Sequence, residues 1–295
     1  MRARAPGKVV LSGAFAVLSG ARALVAACDR FVLADSERAA DFITPEVRAA
    51  LGNRPAPWFD ASALRENDRK LGLGSSAAIL VASLAALALE REPDLSPGEL
   101  AERVHPLARA AHRKAQGGGS GLDVASSAFG GVLLATPRDG ELLLDRVALP
   151  EGIQITVLAS PEPASTPAIL RAVEALKARA PIEHARWLEL QSAASERAAL
   201  AVEQGDASAL LAALRDQSAA LSGLGQAAGV PIVTPAVARL AVSAQALGAA
   251  ALPAGAGGGD IALWVTRDGK PPPFEAELQA LPLALGVPGV CRVQP

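Results

Sequence analysis

Lys70-Leu71-Gly72-Leu73-Gly74-Ser75-Ser76-Ala77-Ala78 is a glycine-rich turn that runs directly into an apolar stretch reaching Leu89. Glycines let a backbone come close to a ligand, and the unpaired N–H groups and macrodipole at a helix start attract anions. Ser75 and Ser76 add hydroxyls suited to a phosphate or a magnesium ion. An ordinary capped helix start would use the same residues. The turn is neither a Walker A loop, because no Gly-Lys-Ser/Thr follows, nor a dinucleotide fingerprint, because Gly-x-Gly-x-x-Gly is absent.

Two more glycine-rich stretches lie downstream. Ala111-His112-Arg113-Lys114-Ala115-Gln116 leads into Gly117-Gly118-Gly119-Ser120-Gly121-Leu122-Asp123. A carboxylate at the end of a glycine loop, behind a basic cluster, suits anion handling; the alternative is a helix closed by Gly117 with Asp123 capping the next turn. Pro253-Ala254-Gly255-Ala256-Gly257-Gly258-Gly259-Asp260 sits between two predicted strands. It is too long for a tight hairpin turn of about two to five residues and makes a good backbone cradle.

Working outward, residues 8–11 and 23–33 read as strands joined by a turn at Ser19-Gly20, and 36–69 as polar and irregular. A helix is predicted from Ser75, and Ser96-Pro97-Gly98-Glu99 supplies an N-cap, a Pro at N1 and an acid at N3 for a second. Strands follow at 131–135 and 153–159, helical periodicity at 166–224, strands at 249–252 and 261–265, a helix at 273–281 and a strand near 289–293. There is no internal repeat. The change of pattern after Pro150 predicts a boundary between domains 1–150 and 151–295.

The chain has 295 residues, 51% hydrophobic and 20% charged, with a net charge of −2. That excludes intrinsic disorder, allows one large or two ordinary domains, and gives no electrostatic footprint for nucleic acid. Only five of its 28 cations are lysines, so Lys8 and Lys70 stand out; Lys is a compact point charge that Arg does not replace at every phosphate site. Two cysteines and three histidines give neither a disulfide framework nor zinc spacing. No run is long enough to span a bilayer and no signal-peptide core is present, so a cytoplasmic protein without membrane partners is expected. The hydrophobic fraction is compatible with a homodimer face and does not require one.

The order of Pro6-Gly7-Lys8-Val9-Val10-Leu11-Ser12-Gly13, the Gly72–Ala78 turn and the Gly255–Asp260 loop resembles the GHMP kinase superfamily throughout the chain. The resemblance implies an α+β protein of the GHMP kinase fold. Its N-terminal domain would be ribosomal protein S5 domain 2-like and its C-terminal domain ferredoxin-like, with ATP and substrate in the cleft between them. Within the superfamily the chain is most similar to phosphomevalonate kinases. The similarity lies in Ala111-His112 and Ala115-Gln116 ahead of Gly119–Ser126, in Pro163-Ala164-Ser165-Thr166 and in Gly229–Pro235. Mevalonate kinases, the alternative, are expected to carry a magnesium-binding Glu where His112 stands. The chain departs from the family at Ala14-Phe15, Leu252 and Ala254, each losing a polar or charged group. A catalytically impaired nucleotide-binding homologue is therefore the third reading.

The implied reaction is ATP-dependent phosphorylation of 5-phosphomevalonate to 5-diphosphomevalonate, on the mevalonate route to isoprenoids, with Mg2+. Gly72, Leu73, Gly74, Ser75, Ser76 and Ala77 would cradle the ATP phosphates beside Lys70, with Ser76 near the metal. Lys8, expected on the opposite wall, would stabilise the transferred group. Asp123 would act as a base toward a mevalonate hydroxyl, or orient Lys8 and the metal toward a phosphate acceptor, which is mostly dianionic at pH 7. Ser12, His112, Ser120, Ser165, Thr166, Gly257 and Gly258 are the expected substrate contacts. Asp260 is expected to fix its loop.

Overall fold

A computed structural model describes residues 1–66, 69–160, 166–273 and 277–294. Strand β1 (Arg2–Ser12) is followed by a 3-10 turn (Ala16–Ser19), β2 (Ala23–Ala39), helix α1 (Pro45–Leu51), β3 (Pro57–Asp60), β4 (Arg65–Glu66) and β5 (Arg69–Lys70). Then come α2 (Ser75–Arg91), α3 (Pro97–Gln116), α4 (Leu122–Phe129), β6 (Val132–Arg138), β7 (Glu141–Val147) and β8 (Gln154–Ala159). Four helices follow, α5 (Thr166–Arg179), α6 (Pro181–Gln204), α7 (Ala207–Ala228) and α8 (Pro235–Ala246), and the strands β9 (Ala250–Pro253), β10 (Ile261–Thr266), β11 (Gln279–Leu281) and β12 (Cys291–Arg292). One sheet is ordered β12-β1-β2-β6-β7 with β3 added to β2; a second is ordered β11-β8-β10-β9.

The chain forms two compact units that interleave in sequence. The first comprises Met1–Val9, Val25–Leu133 and Ala284–Pro295, the second Val10–Leu24 and Leu134–Leu283. Strands β1, β2 and β6 each carry the chain from one unit to the other.

In the first unit α2 is buried almost continuously from Ala77 to Ala86 because it has no charge before its last turn; a helix apolar all round belongs inside. It packs against α1, α3, α4 and β3. Helix α3 starts as expected: Ser96 Oγ accepts from the Glu99 N–H (3.3 Å) while Glu99 Oε2 accepts from the Ser96 N–H (2.9 Å), and Gly117 closes it at φ 69°. The stretch 284–294 then threads back. Gly286 N–H donates to Ala27 O (2.8 Å), Gly131 N–H to Val287 O (2.7 Å) and Val290 N–H to Ala128 O (3.1 Å), and β12 pairs antiparallel with β1.

In the second unit β8 and β10 pair antiparallel along their whole length, Ile261 opposite Ala159 through Thr266 opposite Gln154. Leu158, Leu240, Ala251 and Trp264 form the core between this sheet and α8. Phe15, Ile169, Leu221, Leu224 and Ile232 form another. Helices α6 and α7 pack face to face, and Gly223 makes room for Trp187: a Cβ there would lie 2.3 Å from the indole ring.

Four expectations need correction. The region 36–69 is not irregular: it holds the end of β2, α1 started by Thr44 Oγ1 and Pro45, and three short strands. Residues 141–147 form a strand although none was expected there. Within 273–281, expected to be helical, Gln279–Leu281 is a strand because β8 offers it a free edge, Ala280 opposite Leu158; residues 274–276 lie outside the described residues. The helical stretch beginning at 166 also runs past Leu224 to Ala228, broken at Pro181 and at Gly205, where the Asp206 carboxylate caps α7.

Candidate functional site

Strand β1 presses Pro6-Gly7-Lys8 onto the glycine turn. A Cβ on Gly7 would lie 2.5 Å from Leu64 Cδ2, 2.8 Å from Leu73 O and 3.1 Å from Cys28 Sγ, so only glycine permits this approach. Lys8 N–H donates to Leu73 O (2.8 Å) and Lys8 Nζ to Gly72 O (3.2 Å). The Lys8 stem lies against Gly74, whose Cβ would come 2.8 Å from Lys8 Cγ. Lys8 is therefore held against the turn itself and not, as expected, on a wall opposite it. Gly74 is left-handed (φ 77°) and caps α2 without a side-chain hydrogen bond. A helix leaves its first N–H groups without intrahelical partners, so those of Ser75, Ser76 and Ala77, next to a lysine, form a ready anion site. Lys70 is exposed on β5, two residues before Gly72.

Burial beneath this contact pushes the Cys28 thiol up to about 11. The thiolate is disfavoured in the fold, so Cys28 contributes stability fully below its ordinary value of 9.0 and loses it as pH rises through about 11. Titration of the native protein with a thiol reagent near pH 8 should therefore modify the half-buried Cys291 quickly and Cys28 only slowly. Two equally fast thiols would show that the strand carrying Lys8 opens readily.

The second glycine stretch joins α3 to α4. Gly118 and Gly119 have open space where a Cβ would be, and Gly121, not Asp123, is the N-cap of α4. Asp123 Oδ1 accepts from the Val124 N–H (2.9 Å), and Oδ2 lies 3.3 Å from His112 Nε2. The His112 contact is at ion-pair distance but lacks hydrogen-bond alignment, and this buried nitrogen has no hydrogen-bond partner. Ser120 Oγ accepts from the Leu122 N–H (3.4 Å), which fixes the loop. One helical turn beyond His112, Gln116 Nε2 donates to the buried Glu46 Oε1 (2.5 Å). Ser127, one turn beyond Asp123, donates to Pro6 O (2.8 Å) and ties α4 to the strand that carries Lys8. Ser127 and Glu46 were not anticipated; neither has a local signal, since each acts through a partner distant in sequence.

Among the expected substrate contacts in the second unit, Ser12 is buried, 3.2 Å from Ser195 Oγ, and accepts from Gln217 Nε2 (3.3 Å). Its hydroxyl is engaged in a core hydrogen-bond network and not presented to a ligand. Thr166 is exposed at the first turn of α5; Ser165 lies outside the described residues. Gly257 and Gly258 are occupied by neighbours. Their Cβ positions would lie 2.2 Å from Ile232 O and 2.2 Å from Ile169 Cδ1, and Gly258 N–H already donates to Ile232 O (2.8 Å). The third glycine loop is thus docked on the Gly229–Pro235 stretch, and Asp260 O holds it to the Ser160 N–H (2.8 Å). Phe15 is a core residue with Ala14 packed against the same cluster, and Leu252 is buried in β9, so these departures from the family pattern are filled by apolar packing; Ala254 is half-buried and its N–H donates to Ile261 O (3.1 Å).

The GHMP kinases N terminal domain matches residues 47–131, which contain the glycine turn, α2, His112 and Asp123. The chain is 33% identical over 224 residues to the phosphomevalonate kinase of a Streptomyces species, covering 69% of this chain and 59% of that enzyme. The chain belongs to the GHMP kinase superfamily. This GHMP family member is also 33% identical over 156 residues to the mevalonate kinase of Archaeoglobus fulgidus, 47% of this chain and 54% of that one. It thus spans between half and three-fifths of the length of these two curated relatives. Its GHMP kinase fold is shared with the Streptococcus pneumoniae phosphomevalonate kinase solved with phosphomevalonate and AMPPNP: TM-score 0.73, 21% identity, 91% of this chain and 93% of that one covered. A Listeria innocua protein superposes at TM-score 0.83 with 22% identity over 99% of both chains. Among the described residues no helix of this GHMP protein is long and apolar enough to cross a membrane.

Proposed function

We propose that this protein is an ATP-dependent kinase of the cytoplasm that phosphorylates 5-phosphomevalonate to 5-diphosphomevalonate. The observation that carries the reading is the Lys8 ammonium at 3.2 Å from Gly72 O, held beside the open N-terminus of α2. Phosphoryl transfer needs in-line positioning and neutralisation of charge on the transferred group. In this proposal the N–H groups of Ser75, Ser76 and Ala77 bind ATP phosphates and the Lys8 ammonium stabilises charge on the transferred phosphoryl group. A division of labour near residue 150, with ATP held by 1–150 and the acceptor met also by 151–295, belongs to the same proposal, with Thr166 as an acceptor contact from the second half.

Magnesium belongs to the same proposal, since Mg2+ characteristically takes one or two protein oxygens and completes its shell with phosphates and water. Ser76 Oγ and Asp123 are the oxygens that would hold it. When bound, it neutralises charge between the phosphates.

His112 beside Asp123 supports a phosphorylated acceptor over mevalonate. A second carboxylate there would repel a dianion, whereas an imidazole does not. A phosphate acceptor needs no strong base, so Asp123 is expected to orient Lys8 and the metal. Asp123→Asn should then lower kcat while leaving binding of both substrates in place. A coupled ADP-release assay with phosphomevalonate and mevalonate side by side tests the reading. Turnover of mevalonate alone would transfer the assignment to mevalonate kinase, and ATP binding without turnover of either would indicate an impaired homologue.

A further inference from the structure

The first unit holds a cavity of about 360 Å³ where α1 and α2 end, rimmed by Arg38, Arg54, Arg91 and Glu90. Apart from Ser36, the rest of its lining is apolar, with Leu51, Pro57 and Leu87 among it. Helix α2 has 17 residues, so this cavity lies about 24 Å along the helix from the glycine turn, at a rise of about 1.5 Å per residue. Among the described residues none of the three guanidiniums is in an ion pair, in a chain whose net charge is −2.

Two of the arginines have a helix-end role. Arg54 Nε donates to Leu51 O (3.2 Å) at the end of α1, and Arg91 sits in the last turn of α2, where cations are favoured. That accounts for neither the third nor their convergence: Arg38 comes from β2 and stacks over the Trp58 ring, 4.0 Å from its centroid. Stacking and the carbonyl contact hold two forks in place before any ligand arrives, so less side-chain freedom is lost on capture. Three cations against one carboxylate select an anion. The apolar wall selects one that carries a short hydrocarbon portion, and the volume is at the small end of ligand pockets of roughly 300–1,000 Å³.

We propose that this cavity is a second anion site, separate from the glycine turn, for a small organic phosphate with an apolar chain. The inference does not depend on the kinase reading. Hexyl phosphate titrated calorimetrically into the full chain should bind saturably, more tightly than inorganic phosphate, with a change in Trp58 emission as Arg38 engages the ligand. Arg38→Gln with Arg91→Gln should weaken it roughly tenfold or more, as expected for loss of charge-assisted bonds. The Arg38→Lys, Arg91→Lys pair should keep part of the affinity. All three positions are exposed, so thermal melts should show both variants folded. Equal affinity in the Gln variant and the parent, or hexanol binding as well as hexyl phosphate, would overturn the proposal.

Discussion

Lys8→Met is expected to lower kcat by roughly a hundred- to a thousand-fold, the loss typical of removing one preorganised group that stabilises transition-state charge. Methionine is unbranched, so it preserves the stem that lies against Gly74 while deleting the ammonium beside Gly72 O. The N–H groups at the start of α2 are untouched, so ATP affinity should change far less than kcat. Lys8→Arg should not restore activity, because a planar fork does not replace a compact charge in a space bounded by Gly74. Arg197→Gln is the control: this exposed arginine sits in an exposed ion pair with Asp216, and its loss should leave the rate unchanged. Steady-state ADP release measures all four enzymes. A Lys8→Met protein with unaltered kcat would remove Lys8 from the chemistry.

Gly257→Ala is expected to be the most damaging small substitution in the third glycine loop. At φ 75° an L-residue costs about 1–2 kcal/mol, and a methyl forced toward Ile232 O adds about 1–3 kcal/mol of overpacking, for about 2–5 kcal/mol in all. The obstacle is backbone, so no rotamer relieves it. Gly255→Ala has the same handedness penalty at φ 73°, but its nearest contact is Val10 Cγ2 at 4.0 Å, so it should cost only the first part. The difference between the two in thermal or denaturant unfolding isolates the clash. Equal losses would mean that the loop is not docked on the 229–235 stretch.

These two glycine positions also show where sequence reading succeeds and stops. The loop was legible as a backbone cradle of small residues between strands; what fills it was not, because Ile232 and Ile169 lie far away in sequence. Local chemistry was reliable elsewhere: Ser96 and Glu99 capped α3 as expected, and Gly117 closed it. Strand β7 was missed because its Leu142-Leu143-Leu144 run lacks the apolar–polar alternation that marks a half-buried strand, and α1 because a single cap at Thr44 lies inside a polar stretch. At the site, the glycine turn and Lys8 were each found alone. Their contact, and those of Ser127 with Pro6 and of Glu46 with Gln116, are products of the fold.

The returning stretch 284–294 bears on how the protein can be made. A ribosome completes all of 134–283 before it supplies the residues that pair with β1 and lie against Ala27, Ala128 and Gly131. The emerging first unit must wait with the outer edge of β1 bare, and a naked strand edge is a template for pairing with another chain. A chain cut short after Pro150 would freeze that unfinished intermediate. Supplying the missing stretch as a separate peptide, or rejoining it behind residue 133 through a short linker, is the rational way to obtain the first unit with only Val10–Leu24 of the second attached.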